Sequence, residues 1–388
     1  MAALLQHPLL AHFQCLGDRC EDTCCKSWSM QLDAATYQTY QNEAPELLDA
    51  VEAAQESPWI MRKDKQTGYC VKFENGLCGI HRQYGDRFLG DACHFYPRAT
   101  RTLGTQTIMT ATLSCPEVAR LALYATQPFA WHEAQIERLP YTLKDYLPEA
   151  LTGEQARSVH EAFLQACEEP TSAEQILARI ASVARSMQLL DQTSWPQAVG
   201  FYLRMADGRL PEAKTDVNDP FNLLHALMGI IVATHKPMSE RLSLTLSEMQ
   251  AMLAATLDWS STQIHTSEHS AQAYEKARSS WEQHSAHYQP LLKRYLQMQL
   301  SVSLFPFSGL GANVVERATL IGVRLATVRL ALIAAHHAHG HVLPQEVVVR
   351  VVQSLSRCLD HLGDAAFSLA IYHETGWDQE ARLRGLLA

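Results

Sequence analysis

Eight of the ten cysteines (Cys15, Cys20, Cys24, Cys25, Cys70, Cys78, Cys93 and Cys115) fall within the first 115 of 388 residues, leaving only Cys167 and Cys358 for the remainder. Thiols at that density form disulfide frameworks in oxidising compartments, and bind metal or do redox chemistry where glutathione keeps them reduced. The N-terminus, MAALLQHPLLAHFQC, has no basic stretch before its short apolar run and no small-residue cleavage site. The expectation is therefore a cytoplasmic protein with reduced cysteines and a metal-binding N-terminal unit. The alternative is a set of small buried hydrophobes without metal.

The length suits two domains, and a 47% hydrophobic content supplies core for both. Lys and Arg number 32 against 41 Asp and Glu, a net charge of −9, so nothing draws the whole chain to nucleic acid or anionic lipid. No run of eighteen apolar residues occurs. The nearest approach, Val314 to Ala335, carries Glu316, Arg317, Arg324 and Arg329 and reads as a buried amphipathic helix rather than a membrane span.

Local signals organise the first third. Asp33 is placed to cap a helix that breaks near Pro45. Glu74-Asn75-Gly76 is a turn between two short extended pieces that carry Cys70 and Cys78. A short helix is expected over HRQYGDRFLGDAC, ending at Cys93. Arg98 to Ser114, rich in Thr with a central Leu103-Gly104, reads as a β-hairpin, and Pro116 opens the next helix. From about residue 128 apolar residues recur at three and four, as in EQILARIASVARSMQLL and VRLATVRLALIAAHH, with no repeat of fixed period. The fold expected is mainly α: a Cys-rich metal-binding unit over residues 1–127, with short helices and a small β-hairpin, then an all-α domain over 128–388.

The cysteines begin as C-x4-C-x3-C-C. In a helical turn Cys20 and Cys24 share a face, while Cys25 is turned away by about 100°, so the vicinal pair can serve two different neighbours. No C-x2-C pair of the kind found in zinc knuckles is present. Irregular spacing with intervening loops suits an iron–sulfur cluster, with zinc as the other candidate metal. Eight sulfurs exceed the four of one cluster. The C-x3-C-x2-C loop of radical enzymes is not matched, and neither is a strand-to-helix G-x-G-x-x-G; Gly309-Leu310-Gly311 reads as a helix start.

The run Phe13-Gln14-Cys15-Leu16-Gly17 and Cys20-Glu21-Asp22-Thr23-Cys24-Cys25-Lys26-Ser27-Trp28 resembles the opening of the flagellin lysine N-methylase (FliB-type) family. The resemblance continues through Gly76-Leu77-Cys78-x-Ile80-His81 and Tyr84-Gly85-Asp86. It closes on Cys93-His94-Phe95-Tyr96-Pro97-Arg98 and Ser114-Cys115-Pro116-Glu117. It covers residues 13 to 121. A broader group of zinc- or iron-chelating proteins shares the vicinal cysteines and the later Cys-x3-Tyr-Pro.

The resemblance implies a cytoplasmic enzyme that methylates lysine on flagellin, with S-adenosylmethionine as methyl donor and a 4Fe–4S cluster at the site. The alternative is a non-catalytic metal-binding (zinc or iron) interaction module. Under the first reading Arg98 pairs with the donor carboxylate, against a plain surface salt bridge. Glu21 and Asp22 receive the substrate ammonium, against ordinary loop carboxylates. Tyr96, with Tyr37, Tyr40 and Tyr84, lines a lysine channel, although helix packing also accounts for Tyr37 and Tyr40. The reaction is expected where the two units meet, near Arg98 and residues 93–97. His336, His337, His339 and His341 suit a helix C-terminus better than a metal. The oligomeric state is not legible.

Overall fold

A computed structural model describes residues 2–26, 28–54, 57–206, 210–234, 238–362 and 365–387; Ser27 of the cysteine-rich run lies outside them. The short-range signals give the expected elements. Asp33 Oδ1 accepts the Thr36 backbone N–H at 2.8 Å and caps helix Ala34–Glu43, which stops ahead of Pro45. Asn75 and Gly76, both at positive φ (52° and 80°), turn strand Phe73–Glu74 into Leu77–Cys78. The expected single helix up to Cys93 is instead two, Gly79–Tyr84 and Asp91–Phe95. Gly85 at φ 83° ends the first, and a 3-10 turn separates it from the second.

The hairpin becomes part of a larger sheet. Four strands, β1 (Ala2–Gln6), β2 (Arg98–Leu103), β3 (Gln106–Ala111) and β4 (His132–Ile136), stand in the order β2-β3-β1-β4. β2 and β3 pair through a tight turn in which Gly104 takes φ 63°. β1 runs parallel to β3, with Leu5 opposite Ile108, and antiparallel to β4, with Leu5 opposite Glu133. β4 and a short hairpin, Thr256–Asp258 with Gln263–His265, lie in the stretch expected to be all-α. That stretch is mainly helical but not purely so.

Helices α1 (Pro116–Leu123), α2 (Ala173–Gln188), α3 (Glu240–Met252), α4 (Val314–His339) and α5 (Gln345–Leu359) all contribute buried side chains to one helical core. Pro116 is the first residue of α1, where the missing N–H costs nothing. α4 is long and apolar enough to cross a membrane, but 89% of its most apolar stretch is buried inside the protein. It is a core helix against which α2, α3 and α5 pack. Truncating a wholly buried side chain there, such as Leu325, costs about 2–5 kcal/mol. Gly340 at φ 70° ends α4, so His336, His337 and His339 stand in its last turn and His341 follows it. His336 is buried and bonds Tyr288 Oη through Nδ1 at 3.0 Å.

Two apolar clusters result. The larger joins the four-stranded sheet and all five labelled helices, and includes Leu4, Leu103 and Ile108 as well as buried Cys115, Cys167 and Cys358. The smaller, formed by Met30, Leu32, Tyr40, Leu47, Met61, Cys70, Ile80 and Phe88, lies under the cysteine-bearing loops.

Candidate functional site

A cavity of about 2140 Å³ opens between the two clusters. Its wall is drawn from Met30, Leu32 and Ile80 on one side and from Met109, Leu320 and Ile321 on the other. Six of the eight N-terminal cysteines line it: Cys15, Cys24, Cys25, Cys70, Cys78 and Cys93. So do His94, Phe95, Tyr96 and Arg98, the segment in which the chain passes from the second short helix into β2. Cys20 and Cys115 are not in the wall.

The thiols are not equivalent. Cys24 and Cys25 share a hydrogen bond in which Cys25 donates and Cys24 accepts. That bond, helped by the charge of Arg357, lowers Cys24 to about 7 and drives Cys25 far upward. Burial raises Cys93 strongly, Cys115 to about 12, and Cys20 and Cys70 in the same direction. Cys70, Cys78 and Cys93 act on one another electrostatically, as do Cys15, Cys20 and Cys24. The donor chemistry therefore suits a thiophilic metal. The geometry is another matter. Among the described residues no three His, Cys, Asp or Glu side chains are gathered so as to hold a metal ion.

Arg98 reaches the cavity from the first position of β2. Its guanidinium lies 5.3 Å from the Phe13 ring centre, and no carboxylate among the described residues is within ion-pairing distance. Burial lowers its pKa from the ordinary value. Among the described residues Arg98 forms no surface salt bridge, its alternative role. Other arginines of the wall are engaged: Arg324 pairs with Asp360 at 3.5 Å, and Arg317 donates to the Pro306 carbonyl at 2.6 Å.

Glu21 and Asp22 lie outside the wall and have partners within the chain. Glu21 pairs with Arg120 of α1. Asp22 pairs with Arg357 of α5 at 2.8 Å and accepts from Gln353 Nε2 at 2.7 Å. Tyr37 stacks on Trp59 at 4.3 Å and Tyr84 donates to Glu46 at 2.6 Å, both packing roles. Tyr40 donates to the Phe88 carbonyl at 2.8 Å while touching the cavity. Tyr96 is the tyrosine of the four whose hydroxyl enters a side-chain network at the wall.

That network contains a residue for which sequence reasoning had no signal. His361 sits on the turn after α5, with Nε2 at 2.8 Å from Ser114 Oγ. Ser114 Oγ lies 3.2 Å from Tyr96 Oη and 3.1 Å from Thr112 Oγ1. Trp28 holds the group from above, its ring centre 4.9 Å from Tyr96 and 4.6 Å from His361, with its Nε1–H donated to the Cys24 carbonyl at 2.6 Å. Arg357 covers the Trp28 ring at 4.7 Å. Trp28, Tyr96, Thr112 and His361 all line the cavity, while Ser114 is fully buried behind them.

Fold and site together describe a mainly helical protein with a large, thiol-lined and aromatic-walled cavity between a cysteine-bearing loop unit and a helical core. Residues 163–378, more than half of the chain, match the model of the FliB lysine N-methylase C-terminal domain, and the chain belongs to that family. It is 26% identical over 150 residues to a lysine-N-methylase of Salmonella choleraesuis (strain SC-B67), covering 36% of this chain and 37% of the relative. A lysine-N-methylase of Salmonella typhimurium (strain LT2) is 25% identical over the same shares. The flagellar biosynthetic protein FliU of Salmonella muenchen is 28% identical over 120 residues, 28% of this chain and 70% of that one. The chain thus spans little more than a third of the two lysine methylases it matches. No solved structure matches.

Proposed function

We propose that the protein is a cytoplasmic lysine N-methyltransferase that transfers a methyl group from S-adenosylmethionine to lysine ε-amines of flagellin within the cavity between the two clusters. Its family membership supports lysine N-methylation, and the flagellar naming of a relative supports a flagellar substrate. The observation that carries the site is the cavity itself. At about 2140 Å³ it exceeds the roughly 300–1,000 Å³ of an ordinary small-molecule site, leaving room for a donor and an entering side chain together.

The chemistry is a displacement at carbon. The amine must be neutral and in line with the methyl and the donor sulfur, with water kept out. Arg98, without a carboxylate of its own among the described residues, is the group to hold the donor carboxylate. Trp28 and Tyr96 give an apolar, aromatic wall against which a lysine chain can lie. A 4Fe–4S cluster, or zinc in its place, would draw on the N-terminal thiols. Since no three of them converge among the described residues, no step is assigned to a metal.

The test is to incubate the purified full chain with S-adenosylmethionine and unmodified flagellin and to hydrolyse the product. N-methyl-lysine supports the proposal. Its absence, with donor demonstrably bound, leaves the non-catalytic metal-binding module.

A further inference from the structure

We infer that His361, acting through Ser114 and Tyr96, takes up the proton that the substrate lysine must lose before methyl transfer. The inference rests on the proposal that lysine is methylated in this cavity. A lysine ammonium has no lone pair to attack with, and its ordinary pKa near 10.4 leaves little neutral amine at physiological pH, so a proton acceptor within reach raises the rate.

The hydrogen-bond inventory around Ser114 makes such a path. Ser114 Oγ can donate one hydrogen and accept two, and it has three neighbours: Tyr96 Oη, Thr112 Oγ1 and His361 Nε2. The Thr112 oxygen already accepts the Ser114 backbone N–H at 3.3 Å, leaving its hydroxyl hydrogen to give. With Tyr96 and Thr112 donating to Ser114, the Ser114 hydrogen goes to His361 Nε2, and the hydroxyl has its hydrogen and both lone pairs engaged. The imidazole is then neutral, with its lone pair at Nε2. Reversing the chain also satisfies it: His361 Nε2–H donates to Ser114, Ser114 to Tyr96, and Tyr96 points its hydrogen into the cavity. The two arrangements differ by one proton on His361.

The transfer balances. The ammonium gives a proton to Tyr96 Oη as Tyr96 gives its own to Ser114 Oγ and Ser114 gives its own to His361 Nε2. The amine lone pair then forms the N–C bond while the methyl–sulfur bond breaks, its electron pair staying on sulfur as the sulfonium becomes a thioether. Burial holds the Tyr96 hydroxyl well above the ordinary tyrosine range, so it passes the proton on and does not keep a negative charge. Charged groups near His361 are paired with one another, and the Cys24 and Cys115 thiols act on Tyr96. Arg357, beyond Trp28, is paired with Asp22; Asp360, its chain neighbour, is paired with Arg324; Cys24 meets Trp28 through its backbone carbonyl.

The experiment measures methyl transfer to flagellin against pH for the wild-type full chain and for His361→Gln, Ser114→Ala and Tyr96→Phe. Each should lower kcat by roughly 10²-fold or more with KM for the donor little changed. The acid-side rise of the wild-type profile should vanish in His361→Gln. A second readout needs no turnover: ¹⁵N spectra of the histidine rings, taken above the imidazole titration range, should show His361 as the Nδ1–H tautomer with Nε2 accepting. That Nε2 signal should move in Ser114→Ala. Wild-type transfer with unaltered rates and pH profiles in all three variants overturns the relay, as does an Nε2–H tautomer. A wild-type chain that methylates no flagellin lysine, with the expected tautomer present, overturns the substrate reading and leaves the hydrogen-bonded chain supported.

Discussion

Asp22 Oδ2 lies 2.8 Å from Arg357 Nη1, with both side chains close to nine-tenths buried. The same guanidinium donates to the Thr23 carbonyl at 3.0 Å and to the Lys26 carbonyl, and it covers Trp28. One arginine of α5 thereby fixes the whole loop that carries Cys20, Cys24 and Cys25 and sets the ring that flanks His361 and Tyr96. Breaking one side of such a buried pair leaves an uncompensated charge. Arg357→Met or Asp22→Asn is expected to destabilise the protein by about 3–5 kcal/mol, and the double variant by less than the sum. Urea unfolding of the four proteins checks this, and strict additivity would contradict the pairing.

Arg98→Ala is expected to weaken S-adenosylmethionine binding by about tenfold or more, the loss of one charge-assisted hydrogen-bonded contact, while stability changes little. Arg98→Lys should recover part of the affinity, since it restores charge but not the planar fork. Calorimetric titration of the donor into the purified protein reads both. Equal affinity in all three would remove Arg98 from the donor site.

Acid should destabilise the fold through two buried histidines. Burial lowers His7 to about 3 and His160 to about 4. In the unfolded chain both titrate near the ordinary value of about 6.5. Between those limits the unfolded state binds more protons. Stability is therefore fully present above about 6.5 and falls as pH drops towards 4, by up to ~1.4 kcal/mol per pH unit for each histidine. His160→Gln should be less stable at neutral pH yet show a shallower acid dependence. Urea unfolding across that range measures the slope, and an unchanged slope contradicts the argument.

For the metal, the proposal of an iron–sulfur cluster predicts iron and acid-labile sulfide in anaerobically purified protein. The content should fall in Cys24→Ser and Cys93→Ser and hold in Cys167→Ser and Cys358→Ser, whose thiols are buried in the helical core. Zinc without iron would replace the cluster by the other candidate.

What could be read from the sequence was local. The Asp33 cap, the Asn75-Gly76 turn, the Gly104 hairpin and Pro116 each depend on residues a few positions apart, and each formed. β1 and β4 were not legible, because AALLQ has no polar alternation and HEAQI is a mostly exposed edge strand whose partner lies about 130 residues away. The helix expected through Gly85 stops at Tyr84 because Gly85 takes φ 83°, a conformation open to glycine that breaks the helical run. Within the site, Tyr96 and Arg98 were marked by their motif, while Glu21 and Asp22 were marked only by standing beside cysteines. Their arginine partners sit on α1 and α5, remote in sequence. His361 carries no motif at all. Its importance comes from Ser114, nearly 250 residues earlier, which only the folded chain brings to it.

The most direct test of the central claim is the intact mass of flagellin co-expressed with this protein. Wild type should shift flagellin upward in steps of one CH₂, with the added mass mapping to lysines, and Arg98→Ala and His361→Gln should reduce the shift. Flagellin of unaltered mass, recovered beside abundant folded protein and its methyl donor, would contradict the account.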